Sequence, residues 1–89
     1  MEIEFDPAKD ESNIRKHGIS LARAAELDWN ECWERRDDRA DYGEARYVGL
    51  APLENRLYVV VYTERGNVTR VISLRKANQR EYDDYVRQA

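Results

Sequence analysis

The chain of 89 residues contains one cysteine, Cys32, and one histidine, His17. A lone cysteine closes no internal disulfide and gives no reason to expect an oxidising compartment. With a single histidine beside it, the Cys/His ligand sets of structural zinc are excluded, and no metal or cofactor is expected. Long apolar runs are missing: LYVVVY at 57–62 falls far short of the roughly 20 residues that span a bilayer. No basic start leads into an apolar stretch, as it would in a signal peptide. These absences set the expectation of a soluble, cytoplasmic chain with no membrane partner. Walker A, GxGxxG, nucleophile-elbow and zinc-ligand patterns are absent as well.

What remains is a short, highly charged chain. Its length suits one domain over residues 1–89, with a small core, because a chain of this size buries only about 60–65% of its unfolded surface. Charged residues make up 37% of it, but the aromatics and the β-rich run supply enough apolar surface for a fold. The formal net charge is −3, unevenly spread. From Glu26 to Glu44 eight acids face Arg35, Arg36 and Arg39, a local −5. From Tyr62 to Arg80 five cations face Glu64, a local +4. An acidic chain of this kind still presents a basic surface, because the field a ligand meets is local. Either the basic seam handles a polyanion or both stretches are solvated surface.

Local patterns order the elements. EIEF at 2–5 alternates as a short strand does, and Asp6-Pro7 opens a helix that runs from about 7 to 16 and stops at Gly18. Ser20 is the cap expected for a second helix, LARAAELDW, with Leu21, Ala24, Ala25 and Leu27 as its apolar stripe. Residues 32–43 show no clear period; DYGE at 41–44 signals a turn and ARYVGL a strand. RLYVVVYTE and VTRVISLRK, joined by RGN, read as a hairpin. Asn78 and Glu81 form a capping-box start for a last helix whose packing face is Tyr82, Tyr85, Val86 and Ala89. The predicted class is α+β, order β-α-α-β-β-β-α, a small antiparallel sheet with helices on one face.

Strand parity separates Val68, Arg70, Ile72, Leu74 and Lys76 from Thr69, Val71, Ser73 and Arg75, and the second, more polar set is assigned to the uncovered face. Arg75 then points into an open groove. Arg46 shares a face with Val48 and Leu50. Cleaving RNA without a metal requires a base for the 2′-hydroxyl, a cation for the crowded phosphoryl oxygens and an acid for the 5′-oxygen. Arg46 and Arg75 suit the cationic role, since a guanidinium donates two bonds to phosphate and stays charged; alternatively each is an edge arginine paired with Glu44 or Glu81. His17 is the natural titrating group near neutrality, or else a cap for the carbonyls at its helix end. Lys16 is a phosphate contact or a solvated lysine. Glu44 serves as a base if its pKa is raised, and otherwise is a turn acid. Tyr85 stacks on a base or packs in the core, and Trp29 and Trp33 are a buried anchor or a nucleobase platform.

FDPAKDESNIRKHGIS at 5–20, GEARYVGL at 43–50 and VVVYTERGNVTRVISLRKANQREYDDY at 59–85 together resemble the BrnT toxin family, with its WDpxKxxxNxxKHGisF, ExRyxxiG and yTxRgxxxRiISaRkAxxxErxxY pattern. The resemblance implies a RelE-like fold and a type II toxin that cleaves RNA without metal and arrests translation. It also implies a BrnA-like antitoxin with a ribbon-helix-helix region, through which alone operator DNA is contacted. Carried onto matching positions, it marks Lys16, His17, Arg46, Arg70, Arg75, Glu81 and Tyr85. Beside these, Glu44 is a candidate for catalysis, and Lys76 and Arg80 are candidates for holding RNA with Arg70 and Tyr85. Phe5 and Leu21 depart from the pattern by apolar exchange. The acidic stretch 26–42, with its two tryptophans, matches no part of it and is expected to contact the antitoxin or a second copy, in a homodimer or a heterotetramer with the antitoxin. The alternative is a non-catalytic partner module of a DNA-binding regulator. A free-standing nucleic-acid binder fits less well with the negative total charge.

Overall fold

The computed structural model describes residues 1–88. In chain order it contains strand β1 (Glu2–Glu4), helix α1 (Pro7–His17), two 3-10 helices (Leu21–Glu26 and Trp29–Glu31), strands β2 (Trp33–Arg36), β3 (Tyr47–Leu53), β4 (Arg56–Arg65) and β5 (Val68–Lys76), and helix α2 (Gln79–Gln88). The architecture is α+β, with the 3-10 helices packed on one face of a five-stranded sheet ordered β1-β5-β4-β3-β2. β1 pairs in parallel with β5, and every other pairing is antiparallel. Ala89, expected on the packing face of the last helix, lies outside the described residues.

Where local chemistry is strong, the chain follows it. Asp6 accepts the Ala8 N–H at 2.9 Å to start α1, and Gly18, at φ 71°, ends it. Asn78 and Glu81 bond each other's backbone N–H at 2.8 and 2.9 Å, a complete capping box for α2. Gly66, at φ 63°, occupies the first central position of the β4–β5 turn.

Three expectations change. The segment after Ser20 is a 3-10 helix, because the residues it buries are Leu21, Ala24 and Leu27, spaced by three, while Ala25 is exposed. A three-residue period matches a helix of three residues per turn, whose i and i+3 side chains eclipse. Residues 33–36 form a strand that pairs Trp33 with Leu50 and Arg35 with Val48, although all four side chains are exposed. The parity assigned to β5 also breaks. The pairing steps from Val61–Ser73 to Tyr62–Val71, so Ile72 is an extra residue in a β-bulge. Val71 and Leu74, on opposite faces of a regular strand, are therefore both buried in one core with Leu21, Ala24, Leu27, Ala51, Val60 and Tyr62.

That core lies under the 3-10 helices. Trp29 meets the Tyr62 ring edge-on at 5.2 Å and donates from Nε1 to the Ala24 carbonyl at 3.0 Å, so it is an anchor within the fold. A smaller cluster, Leu50, Leu57 and Val59, occupies the other face and receives Tyr85 from α2. Tyr82 and Val86, expected to pack, are half exposed, because α2 meets the sheet through Tyr85 at the rim. At Gly49, a Cβ would lie 2.7 Å from Cys32 Sγ and 3.3 Å from Val60 Cγ1. Gly49→Ala is expected to cost about 1–3 kcal/mol by overpacking, read as a lower urea midpoint; an unchanged midpoint would mean that Cys32 swings away freely.

α1 is tied to the sheet by one amide. Asn13 donates from Nδ2 to the carbonyls of Leu74 at 2.8 Å and Ile19 at 2.9 Å, and its Oδ1 accepts the Leu74 N–H at 3.2 Å. β1 covers β5 from Val68 to Arg70, and at Leu74 the buried Asn13 amide stands where a neighbouring strand's peptide would be. The last turn of α1, with Lys16 and His17, is thereby held against the β5 edge. Among the described residues no helix is long and apolar enough to cross a membrane.

Candidate active site

On the face that carries Val48, Val59 and Val61, a hollow of about 460 Å³ opens between the sheet, the 37–46 loop and the start of α2. Arg35 from β2, Arg46 just before β3 and Arg75 from β5 all line it, together with Arg36, Arg39 and Glu81. Arginines from β2, from β5 and from the residue ahead of β3 thus line one cavity.

The two expected arginines are held differently. Arg75 donates from Nη1 and Nη2 to the two oxygens of Glu81 at 2.9 and 2.8 Å, and from Nη1 to the Lys76 carbonyl at 3.2 Å. Three of the five N–H donors of a guanidinium are thereby engaged, leaving two. The bonds to Arg75 hold the Glu81 carboxyl below its usual range, and Glu81 in turn raises the arginine. Because Glu81 also caps α2, the same carboxylate aims Arg75 and seats the helix. Arg46 forms no ion pair among the described residues; its guanidinium lies 3.6 Å from the centroid of the Tyr42 ring. Its Nε is buried without a hydrogen-bond partner. A ring face attracts a cation but uses none of its N–H donors, so the Arg46 fork stays free for an anion.

Tyr42 is placed by Asp37. The Asp37 side chain, only 1% exposed, accepts from Arg39 at 2.8 Å through both Nε and Nη2, from the Arg39 backbone N–H at 3.2 Å, and from the Tyr42 hydroxyl at 3.3 Å. The Asp37 N–H donates to the Arg46 carbonyl at 2.7 Å, closing the loop at its base. Arg39 beside it holds the Asp37 carboxyl far below the ordinary range. A depressed folded-state pKa contributes stability that is complete above the unfolded value, near 4, and is lost as pH falls below it. Thermal melts below about pH 4 should therefore fall less steeply for Asp37→Asn than for the parent chain; parallel curves would show that this loop does not couple to protons.

Lys16 and His17 are exposed and line a second hollow of about 170 Å³ with Lys9, Ser12 and Asn13. Ile72 and Ser73 border both hollows, so the two lie side by side across the bulge. Other candidates are placed elsewhere. Glu44 pairs with Arg65 at 2.9 Å, and that bond pulls its pKa down, the opposite of what a general base at neutral pH requires. Arg70 pairs with Glu4 at 2.5 Å on the β1–β5 seam. Lys76 and Arg80 are exposed beyond the hollow's lining. Tyr85 lies outside the hollow's lining, packed against the Leu50, Leu57 and Val59 cluster, and its hydroxyl donates to the Glu31 carbonyl at 2.6 Å. Sequence reasoning missed Arg35, Asp37, Arg39 and Tyr42, which fall in the stretch without a period. The available signal was Trp33 and Arg35 at strand spacing ahead of the DYGE turn.

Among the described residues, no group of three or more His, Cys, Asp or Glu side chains is gathered so as to hold a metal ion. No curated protein matches the chain. Residues 5–81 match the family described as "Ribonuclease toxin, BrnT, of type II toxin-antitoxin system", a span from α1 to the carboxylate that holds Arg75, and the chain therefore belongs to the BrnT ribonuclease toxins, whose class implies an antitoxin partner.

Proposed function

We propose that the chain, acting as one domain in the cytoplasm, is a metal-independent endoribonuclease that cleaves RNA in the Arg46–Arg75 hollow and thereby arrests translation. A BrnA-like ribbon-helix-helix antitoxin neutralises it and brings it to operator DNA. The observation that carries this reading is Arg46, a cation with no carboxylate partner among the described residues, in the same cavity as Arg75. In this reading a phosphodiester takes the free fork of Arg46 and the two remaining donors of Arg75. The 2′-oxygen loses its proton and attacks phosphorus, the bond to the 5′-oxygen breaks, and that oxygen leaves with a proton. The products are a 2′,3′-cyclic phosphate and a 5′-hydroxyl. His17 and Lys16, in the adjoining hollow, supply the proton transfer and a further phosphate contact.

The test is a defined RNA incubated with purified chain in excess chelator. Fragments ending in 2′,3′-cyclic phosphate are expected; cutting only after magnesium is added would retire the metal-independent mechanism, and intact RNA in both conditions would retire the enzymatic one. The bidentate Arg75–Glu81 pair supports a second reading, a non-catalytic partner module of a DNA-binding regulator. That reading requires expression without toxicity and DNA affinity that rises only when the partner is present.

A further inference from the structure

β2 ends the sheet, and its outer edge has no strand beside it among the described residues. The Asp37 N–H to Arg46 C=O bond fixes its hydrogen-bond phase. Residues in step with Asp37, namely Arg35 and Trp33, bond inward to Val48 and Leu50. The N–H and C=O groups of Glu34 and Arg36 therefore point outward. The opposite side of the sheet is managed differently: β1 is three residues long, and the Asn13 amide covers β5 beyond it. β2 has neither a proline nor a bulge, and its side chains are all exposed. Such an edge is a template for another strand.

The charges on β2 select the occupant. Antiparallel pairing with a second copy centred on Arg35 sets Glu34 against Arg36 but puts Arg35 against Arg35 at the two-fold axis, and like charges directly opposite are destabilising. Arg35 is moreover without an ion pair among the described residues, on the rim of a hollow already carrying Arg46 and Arg75. An acidic side chain placed opposite it relieves that field. Trp33, on the same face two residues earlier and 36% exposed, offers an apolar surface to the residue opposite it.

We propose that the outer edge of β2 docks an extended acidic segment of a partner protein as a sixth strand, with an acid opposite Arg35 and an apolar residue opposite Trp33. The backbone of Glu34 and Arg36 supplies affinity, and the alternate side chains supply selectivity. Identifying the partner as the antitoxin, and expecting it to compete with RNA at Arg35, rests on the ribonuclease reading; the docking geometry does not.

The probe is a synthetic peptide of about eight residues, a common strand length, built as repeated Thr-Val-Thr-Asp so that valine and aspartate alternate along one face, with lysine in place of aspartate in the control. Binding is followed by anisotropy of a labelled peptide and by amide exchange. New protection is expected at Glu34 and Arg36, with the aspartate peptide preferred. Arg35→Glu should weaken it at least about tenfold and move the preference toward the lysine peptide. Arg36→Pro removes an outward donor and leaves the bonds to β3 intact, so it should abolish binding while the circular dichroism is unchanged; should that variant not fold, the Arg35→Glu result decides. Equal binding of both peptides, absence of protection at Glu34 and Arg36, or protection already present in a sedimenting dimer of the chain would overturn the proposal. A chain that binds the aspartate peptide through these amides yet cuts no RNA supports the docking site and sinks the catalytic reading.

Discussion

Replacing Arg46 by alanine should lower RNA cleavage by about 100- to 1,000-fold, the range seen when one preorganised donor to a developing oxyanion is removed. Stability should not fall with it. The Arg46 Nε is buried and unpaired, and among the described residues the guanidinium holds no carboxylate in place, so its removal exposes no orphaned partner there. Arg46→Lys should recover little, because an ammonium lacks both the two-pronged donor and the flat face that rests on Tyr42. Arg75→Ala is a different case: it also frees Glu81 and loosens α2, so some loss of melting temperature is expected beside the loss of activity. Cleavage undiminished by either replacement would end the assignment of this hollow as the place of chemistry. Tyr42→Phe keeps the ring but drops the bond to Asp37, and should weaken cleavage less than Tyr42→Ala does.

The largest expected effect on stability comes from a residue that touches no substrate. Asn13→Ala removes three hydrogen bonds and strands the buried Leu74 N–H and carbonyl and the partly buried Ile19 carbonyl. A buried group left unsatisfied costs about 1–3 kcal/mol, so a total near 3 kcal/mol is a conservative expectation. In a domain of this size that corresponds to a fall of roughly 12–24 °C in Tm. Asn13→Asp should be no better, since it sets a carboxylate against two carbonyls. Calorimetry on the two variants checks this; a fall of less than about 4 °C would show that water or a shifted α1 replaces the amide. Because Asn13 holds the turn that carries Lys16 and His17, a folded variant should also cleave more slowly.

How far the amino acids alone disclosed this arrangement depends on whether short-range chemistry decided the outcome. α1, the β4–β5 hairpin and α2 were legible because Asp6, Pro7, Gly18, Gly66, Asn78 and Glu81 each meet a specific backbone requirement. β2 was not, since WERR has no β-branched residue and no buried side chain; it is a strand because β3 pairs with it. The 3-10 helix was misread because its three-residue spacing fits within an apolar stripe that also suits an α-helix once Ala25 is counted. In β5, alternation placed Arg75 on the face away from the main core but could not register the extra residue at Ile72, which puts Val71 and Leu74 in one core. At the site, Arg46 and Arg75 were visible as cations on strands. The Asp37–Tyr42 support was invisible, because it depends on a loop that folds back through side-chain bonds.

The parallel pairing of β1 with β5 has a consequence for how such a chain is made. Glu2, the first residue of β1, waits for Val68, and the guanidinium of residue 75 is synthesised after that. A nascent chain halted between β4 and β5 has an unmatched first strand and a cavity without Arg75. The strand that closes the sheet onto β1 is also the one that brings Arg75 to the hollow, so a chain that stops short of β5 has neither.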